Sequence, residues 1–342
     1  MRDHATTEKD RGYARSGFPL VMTSHALNHS YDSLMPVLYP SMILEFNLTY
    51  GSVGLLVMGF RLSSGALQLL MGFLGRFVPR KMLLGLGMIW QSVLNSLIAA
   101  SQEFGHVFTL RTLAGIGASP QHPTGAAYIT EVFPRQRLGR VLGINIVAGQ
   151  LGSFITPILA SLLLSYLGWK ETILAFSIPG TVVGIAFLFI KESGRSIVGI
   201  RQAGALLLRD MRQVLKDKTV LAIIAVEMVM AIRMGAADFL PSYFTRDLGM
   251  TPFEAGLLFS IFLGSGIPAP YFWGRLSDRF ERRKIVMLAL GVACAFWYLL
   301  TYGGTSLQLL AILIPLGFAT VCIGGVVQAF VGGKTHKENR DL

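Results

Sequence analysis

The sequence has 342 residues, of which 52% are hydrophobic and only 14% charged, with a formal net charge of +11. A soluble domain carries about 25% charged residues. Apolar stretches such as Met82–Ala100, Ile173–Ile190 and Ile285–Tyr302 approach the ~20 residues that a helix needs to cross a ~30 Å hydrocarbon core. A soluble all-α protein is excluded on these grounds, and the pattern predicts a polytopic α-helical membrane protein.

The basic tail 1–17 lacks the charged start, short apolar run and small-residue cleavage site of a signal peptide, so the first span is expected to be retained. Ten spans follow, at about 18–42, 50–73, 82–100, 105–130, 139–166, 170–190, 219–244, 253–273, 285–303 and 306–331. The expected domains are a tail 1–17, a six-helix bundle 18–190, a basic linker 191–218, a four-helix second bundle 219–331 and a tail 332–342. Of the 30 Lys and Arg residues, 25 fall in the two tails, the linker and the loops on that same side of the spans. The positive-inside rule then places the N-terminus, linker and C-terminus in the cytoplasm. The net charge is a topology signal and calls for no nucleic-acid partner. Cys294 and Cys322 lie in apolar segments without ligand spacing, which reads as packing.

The chain repeats internally. "GSVGLL" (Gly51–Leu56) is similar to "FEAGLL" (Phe253–Leu258), "GFLGRFVPRK" (Gly72–Lys81) to "GRLSDRFERR" (Gly274–Arg283), and Gly115 falls on Gly317, all at an offset of 202. Spans 1–4 therefore correspond to spans 7–10, an arrangement typical of transporters built from parallel repeats. Leu342 corresponds to Arg140, just before span 5, so the sequence is expected to be truncated by two helices; a natural ten-helix chain is the alternative.

Polar residues interrupt the first span. In "SHALNHSYD" (Ser24–Asp32), His25, His29 and Asp32 are spaced i, i+4, i+7, and Asn28 lies at the edge of the same helical face. They sit near mid-depth, where transporter substrate sites lie. An ionisable residue there costs about 2.5–3.5 kcal/mol on insertion scales and is a functional hypothesis by default. Three readings compete: a water-accessible face that binds substrate and exchanges protons, a purely structural set of hydrogen bonds, and a metal site. The first is preferred, and no metal is expected because the sequence offers no second ligand cluster.

Arg111 in span 4 is the internal cation, paired either with Asp32 or with an anionic substrate group. His122 lies between Pro120 and Pro123, where the helix must be irregular; it faces a cavity or marks a kink. In span 7, Glu227 is the pseudo-equivalent of His25 and shares a face with Asp238, and Arg233 lies between them. Arg61 in span 2 is either internal or snorkelling.

At its motifs the chain resembles the major facilitator superfamily. Gly274, Asp278, Arg279, Arg282 and Arg283 match the superfamily's basic loop, which implies a gating contact. The first copy departs from it, with Arg76, Phe77 and Pro79 in place of the usual Asp, Arg and Gly. Arg111, Gly115 and Gly117 match the pattern of the fourth helix. Gly143, Gly152 and Pro157 resemble the antiporter motif of drug exporters, although Thr156, Ala160 and Ser161 replace its other glycines. His25 with Asn28, Tyr39-Pro40 and His122-Pro123 are similar to the fosmidomycin-resistance family of exporters; its usual acid after the Asn is His29 here, with Asp32 further on.

The resemblance implies an all-α major-facilitator fold of two pseudo-symmetric six-helix bundles, with about ten helices present. It further implies a proton-coupled exporter of a small drug or organic metabolite, multi-pass in the inner membrane, with protons, a small molecule and lipid as partners, monomeric and without cofactors. A proton symporter importing an organic acid or sugar, and an inactive fragment, are the alternatives. No enzyme motif occurs in suitable context.

Overall fold

The computed structural model describes residues 17–75, 77–190, 216, 221 and 234–320, apart from the Arg282 side chain. The described part consists of helices joined by short turns, with no strand among those residues. The helices are α1 (Phe18–Phe46), α2 (Tyr50–Leu74), α3 (Arg80–Ile98), α4 (Phe104–Ala118), α5 (Gln121–Val132), α6 (Arg135–Leu167), α7 (Trp169–Phe189), α8 (Pro252–Ser265), α9 (Ala269–Arg279), α10 (Arg282–Leu300) and α11 (Ser306–Thr320). A short turn Leu240–Ser242 and a π-helical turn Tyr243–Asp247 precede α8.

Six stretches among the described residues are long and apolar enough to cross a membrane: Tyr50–Leu74, Arg80–Ile98, Arg135–Leu167, Trp169–Phe189, Pro252–Arg279 and Arg283–Leu300. The other predicted spans have specific reasons for standing outside that set. At 29 residues α1 is long enough, but its polar insert makes it less apolar. The fourth span breaks into α4 and α5 at Ser119–Pro120, where the Pro-flanked sequence predicts irregular backbone. Most of the seventh span and the end of the tenth lie outside the described residues, as does the linker 191–215. Large apolar side chains stand bare on the surface, including Leu44, Tyr166 and Phe189, as a lipid-facing wall requires.

The repeat is reproduced in helix starts: α2, α3 and α4 begin at 50, 80 and 104, and α8, α10 and α11 at 252, 282 and 306. The turns match in chemistry as well. Asn47 and Gly249, 202 apart, both take positive φ (49° and 67°). Two residues on, Thr49 and Thr251 cap α2 and α8 by accepting from the backbone N–H groups of Ser52 and Glu254. Thr49→Ala is expected to cost about 1 kcal/mol, and Thr251→Ala more, because Glu254 also bonds back to complete a capping box. Thermal melts of the two variants in detergent test the ranking.

The chain divides into two compact units, residues 1–153 with 162–203, and 154–161 with 204–342. In the first, α3 packs on α7 and α4, α2 on α4, and α1 on α7 and α5. Gly152 of α6 sits directly against α1: a Cβ there would lie 2.1 Å from the Ala26 carbonyl oxygen. Small residues at helix interfaces serve such close approach. In the second unit, α11 packs on α8 and α10, and Trp273, Ile285 and Ala289 form a core closed by Phe318. The Trp273 indole N–H donates to the Phe318 carbonyl at 3.0 Å. Within that unit Gly256 faces Pro157, whose carbonyl oxygen would lie 2.7 Å from a Cβ. Gly143, the first residue of the antiporter-like motif, has open space around it, so helix contact accounts for Gly152 and not for Gly143.

Candidate functional site

The polar face of α1 exists because the helix runs unbroken through residues 24–32, so the i, i+4, i+7 spacing becomes one stripe. His25 is buried, and its Nδ1–H donates to the Asn145 carbonyl of α6 at 2.8 Å. That bond leaves Nε2 as the ring's lone-pair nitrogen, and Nε2 is buried without a hydrogen-bond partner. One turn later, Nδ1 of His29 lies 3.3 Å from the Ser153 hydroxyl. The break before α5 brings His122 alongside both. The ring centroids are 4.8 Å apart for His25–His29, 5.1 Å for His25–His122 and 5.5 Å for His29–His122, all edge-to-face. His122 is exposed, so the cluster is open on one side.

Gly149 forms the floor beneath two of these rings. A Cβ there would lie 2.8 Å from Cδ2 of His29 and 3.0 Å from Cε1 of His25. The sequence shows no second ligand cluster and gives no expectation of a metal; in the structure a third histidine joins the first two, and one nitrogen from each ring lies within 4.8 Å of the others.

Arg111 is 3% exposed and lies 3.9 Å from the Asp32 carboxylate, whose side chain is 36% exposed. The guanidinium also donates toward Asn95 Oδ1 and the Tyr31 carbonyl, each at 3.5 Å, and its carbon stacks 3.6 Å over the Phe60 ring. The buried cation is thus held by α1, α2 and α3, and of the two pairings open in the sequence the structure contains the one with Asp32. Asp32 is close enough to His122 to act on it electrostatically, and Arg61 similarly reaches His29.

Asn28 belongs to the frame around this cluster. Its amide donates to Gln91 Oε1 at 3.1 Å and toward the Ala118 carbonyl at 3.5 Å, tying α1 to α3 and α4. Tyr31 makes the matching tie, with its hydroxyl 2.8 Å from Ser92 and donating to the Phe176 carbonyl at 3.2 Å. In the second unit Asp238 is buried just before the Leu240–Ser242 turn, and Glu227 and Arg233 lie outside the described residues.

Of the basic-loop residues, Gly274 has open space around it, Asp278 and Arg279 are exposed at the end of α9, and Arg283 is exposed at the start of α10. The first-half copy is tied down differently. Arg80 bonds Glu131 at the end of α5, and Lys81 donates to the carbonyls of Leu188 and Ile190 at 3.3 and 2.9 Å. Cations at helix C-termini are favoured by the helix dipole. Sequence reasoning missed Arg80, Glu131, Asn145, Gly149 and Ser153. The last three lie within the Gly143–Pro157 stretch read as antiporter-like, and nothing in that reading set them against α1.

Comparisons with known proteins follow the same lines. A family model described as Major Facilitator Superfamily matches residues 21–342. The fosmidomycin resistance protein of Escherichia coli is 24% identical over 92% of this chain and 76% of its own length. The chloramphenicol resistance protein CraA of Acinetobacter baumannii is 22% identical over 95% of this chain and 78% of its own. Among solved structures, a bacterial homologue of the human lysosomal transporter Spinster, inward-facing and occupied, superposes with a TM-score of 0.80 at 15% identity, covering 96% of this chain and 76% of that one. The nucleoside transporter NupG superposes with a TM-score of 0.78 at 13% identity, over 94% and 84%.

Proposed function

The chain belongs to the Major Facilitator Superfamily, and we propose that it works as a proton-coupled secondary transporter that exports a small drug or organic metabolite by alternating access. The observation that carries this reading is the Asp32–Arg111 pair on a polar stripe that the membrane would otherwise exclude. The drug-resistance relatives and the antiporter-like residues Gly152 and Pro157 support export over import.

Asp32 is the proton carrier in this reading. Protonated, it releases part of its hold on Arg111, so proton and access state are linked through one contact. Coupling requires such a differential interaction with the two states. His25, His29 and His122 line the same side, and Glu227 and Asp238 are the second-half counterparts. The basic loop from Gly274 to Arg283 holds one access state through Asp278, Arg279, Arg282 and Arg283. The protein sits as a monomer in a bacterial inner membrane, with its N-terminus and the 191–218 linker in the cytoplasm, and its partners are the substrate, protons and lipid.

A drug-sensitive strain expressing the chain is expected to tolerate higher doses of at least one compound in a broad panel. A protonophore is expected to abolish that tolerance. Tolerance that persists after the pH gradient is collapsed removes proton coupling. Accumulation of the compound under an inward proton gradient replaces export with symport.

A further inference from the structure

We infer that His25, His29 and His122 form a binding site for one divalent transition-metal ion of the borderline class typified by Zn2+. Three features of the structure carry this. The ligand count is that of open zinc sites, which hold three protein nitrogens and leave a fourth position for solvent or substrate. His25 and His29 come from one helix at i, i+4, a spacing that presents two imidazoles to one ion, and His122 comes from the first turn of α5.

The geometry is near closure. Tetrahedral coordination with Zn–N bonds of ~2.0–2.1 Å places nitrogens about 3.4 Å apart. The candidate nitrogens already lie within 4.8 Å of one another.

The outer contacts match those of ligating histidines. A metal-bound imidazole donates its other N–H to a carbonyl or similar acceptor, which fixes the tautomer. His25 does this with the Asn145 carbonyl, and the nitrogen left over is the buried Nε2 that has no hydrogen-bond partner. His29 has the Ser153 hydroxyl at its Nδ1. Gly149 leaves the rings the room they occupy. Asp32 lies toward His122 and adds negative charge, while Arg61 lies toward His29 and opposes a cation. The site is exposed on its His122 side. Its existence does not depend on the direction or coupling of transport.

The test is direct binding to the purified full chain in detergent, carried on an affinity tag without histidine. Zn2+ is titrated against a chromophoric chelator, and Co2+ serves as a spectroscopic probe. One equivalent of Zn2+ is expected, with Co2+ giving the visible absorption of a four-coordinate ion. His25→Gln, His29→Gln and His122→Gln are each expected to weaken binding at least tenfold and to remove the Co2+ spectrum. Ser153→Ala is expected to weaken it about tenfold through ring orientation. His106→Gln and the double variant His4→Gln/His336→Gln leave it unchanged. Melting curves confirm that each variant is folded. Absence of binding in the folded parent chain, or binding that survives loss of any two of the three histidines, overturns the site. Neither result bears on proton-driven export, which is read by a separate assay.

Discussion

Gly152→Ala is expected to cause the largest loss of stability of any single-methyl change in α6. A Cβ at this position would lie 2.1, 2.7 and 2.9 Å from the oxygen, carbon and Cα of Ala26. All three are backbone atoms of α1, so no side chain can swing aside. The two helices must separate, and overpacking of this kind costs about 1–3 kcal/mol, occasionally more. The displacement also reaches function, because Ala26 sits between His25 and Asn28. Moving α1 pulls His25 from the Asn145 carbonyl and Asn28 from Gln91. A melting temperature several degrees lower, together with reduced transport, is the expected outcome. Gly143→Ala is the matched control, since the added methyl meets nothing within 4 Å. If both variants melt alike, the α1–α6 contact is not what this glycine provides.

The repeat was readable in the sequence as three matched segments. In the structure the same 202-residue offset holds for the helix starts and for paired interfaces that those matches do not name. A Cβ on Gly115 would meet the Phe60 carbonyl and the Ser63 hydroxyl, and one on Gly317 would meet the Phe262 carbonyl and the Ser265 hydroxyl. Each partner in the second set lies 202 after its counterpart. Local chemistry explains this legibility: glycine spacing, threonine caps and proline breaks act within a turn or two of the chain. The polar stripe on α1 was legible for the same reason, since one helical period fixes which residues share a face.

What was not legible is what lies across from that stripe. Asn28 shares its edge yet turns to α3 and α4. The third histidine arrives from α5, and the groups orienting the first two arrive from α6. Such contacts join residues from 63 to 124 positions apart, and no periodicity encodes them. The available hint was the Pro120–Pro123 break, which placed His122 at an irregular turn without saying what it would meet. The contact of Arg80 with Glu131 was hidden in another way, because both residues read as ordinary charges at the ends of spans.

Asp32→Asn is expected to reduce proton-driven export at least tenfold while leaving the fold intact, and the companion variant Arg111→Gln decides why. Arg111 does not need Asp32 to stay in place. It is held by Phe60, Asn95 and the Tyr31 carbonyl at 3.5–3.6 Å, and the carboxylate lies farther off at 3.9 Å. Removing one partner of a buried pair typically costs about 3–5 kcal/mol, but Asp32 is 36% exposed, so the loss here is smaller. If Asp32 merely neutralises Arg111, the double variant Asp32→Asn/Arg111→Gln regains what the single variant lost, and the coupling between the two changes is large and compensating. If Asp32 carries the proton, the double variant stays uncoupled, because no titratable group has been restored. The second outcome is expected. Substrate exchange without a proton gradient is then expected to persist in Asp32→Asn, since exchange needs the binding face and the access change but no net proton movement. Recovery of gradient-driven export in the double variant would assign the proton elsewhere and leave Asp32 as a counter-ion.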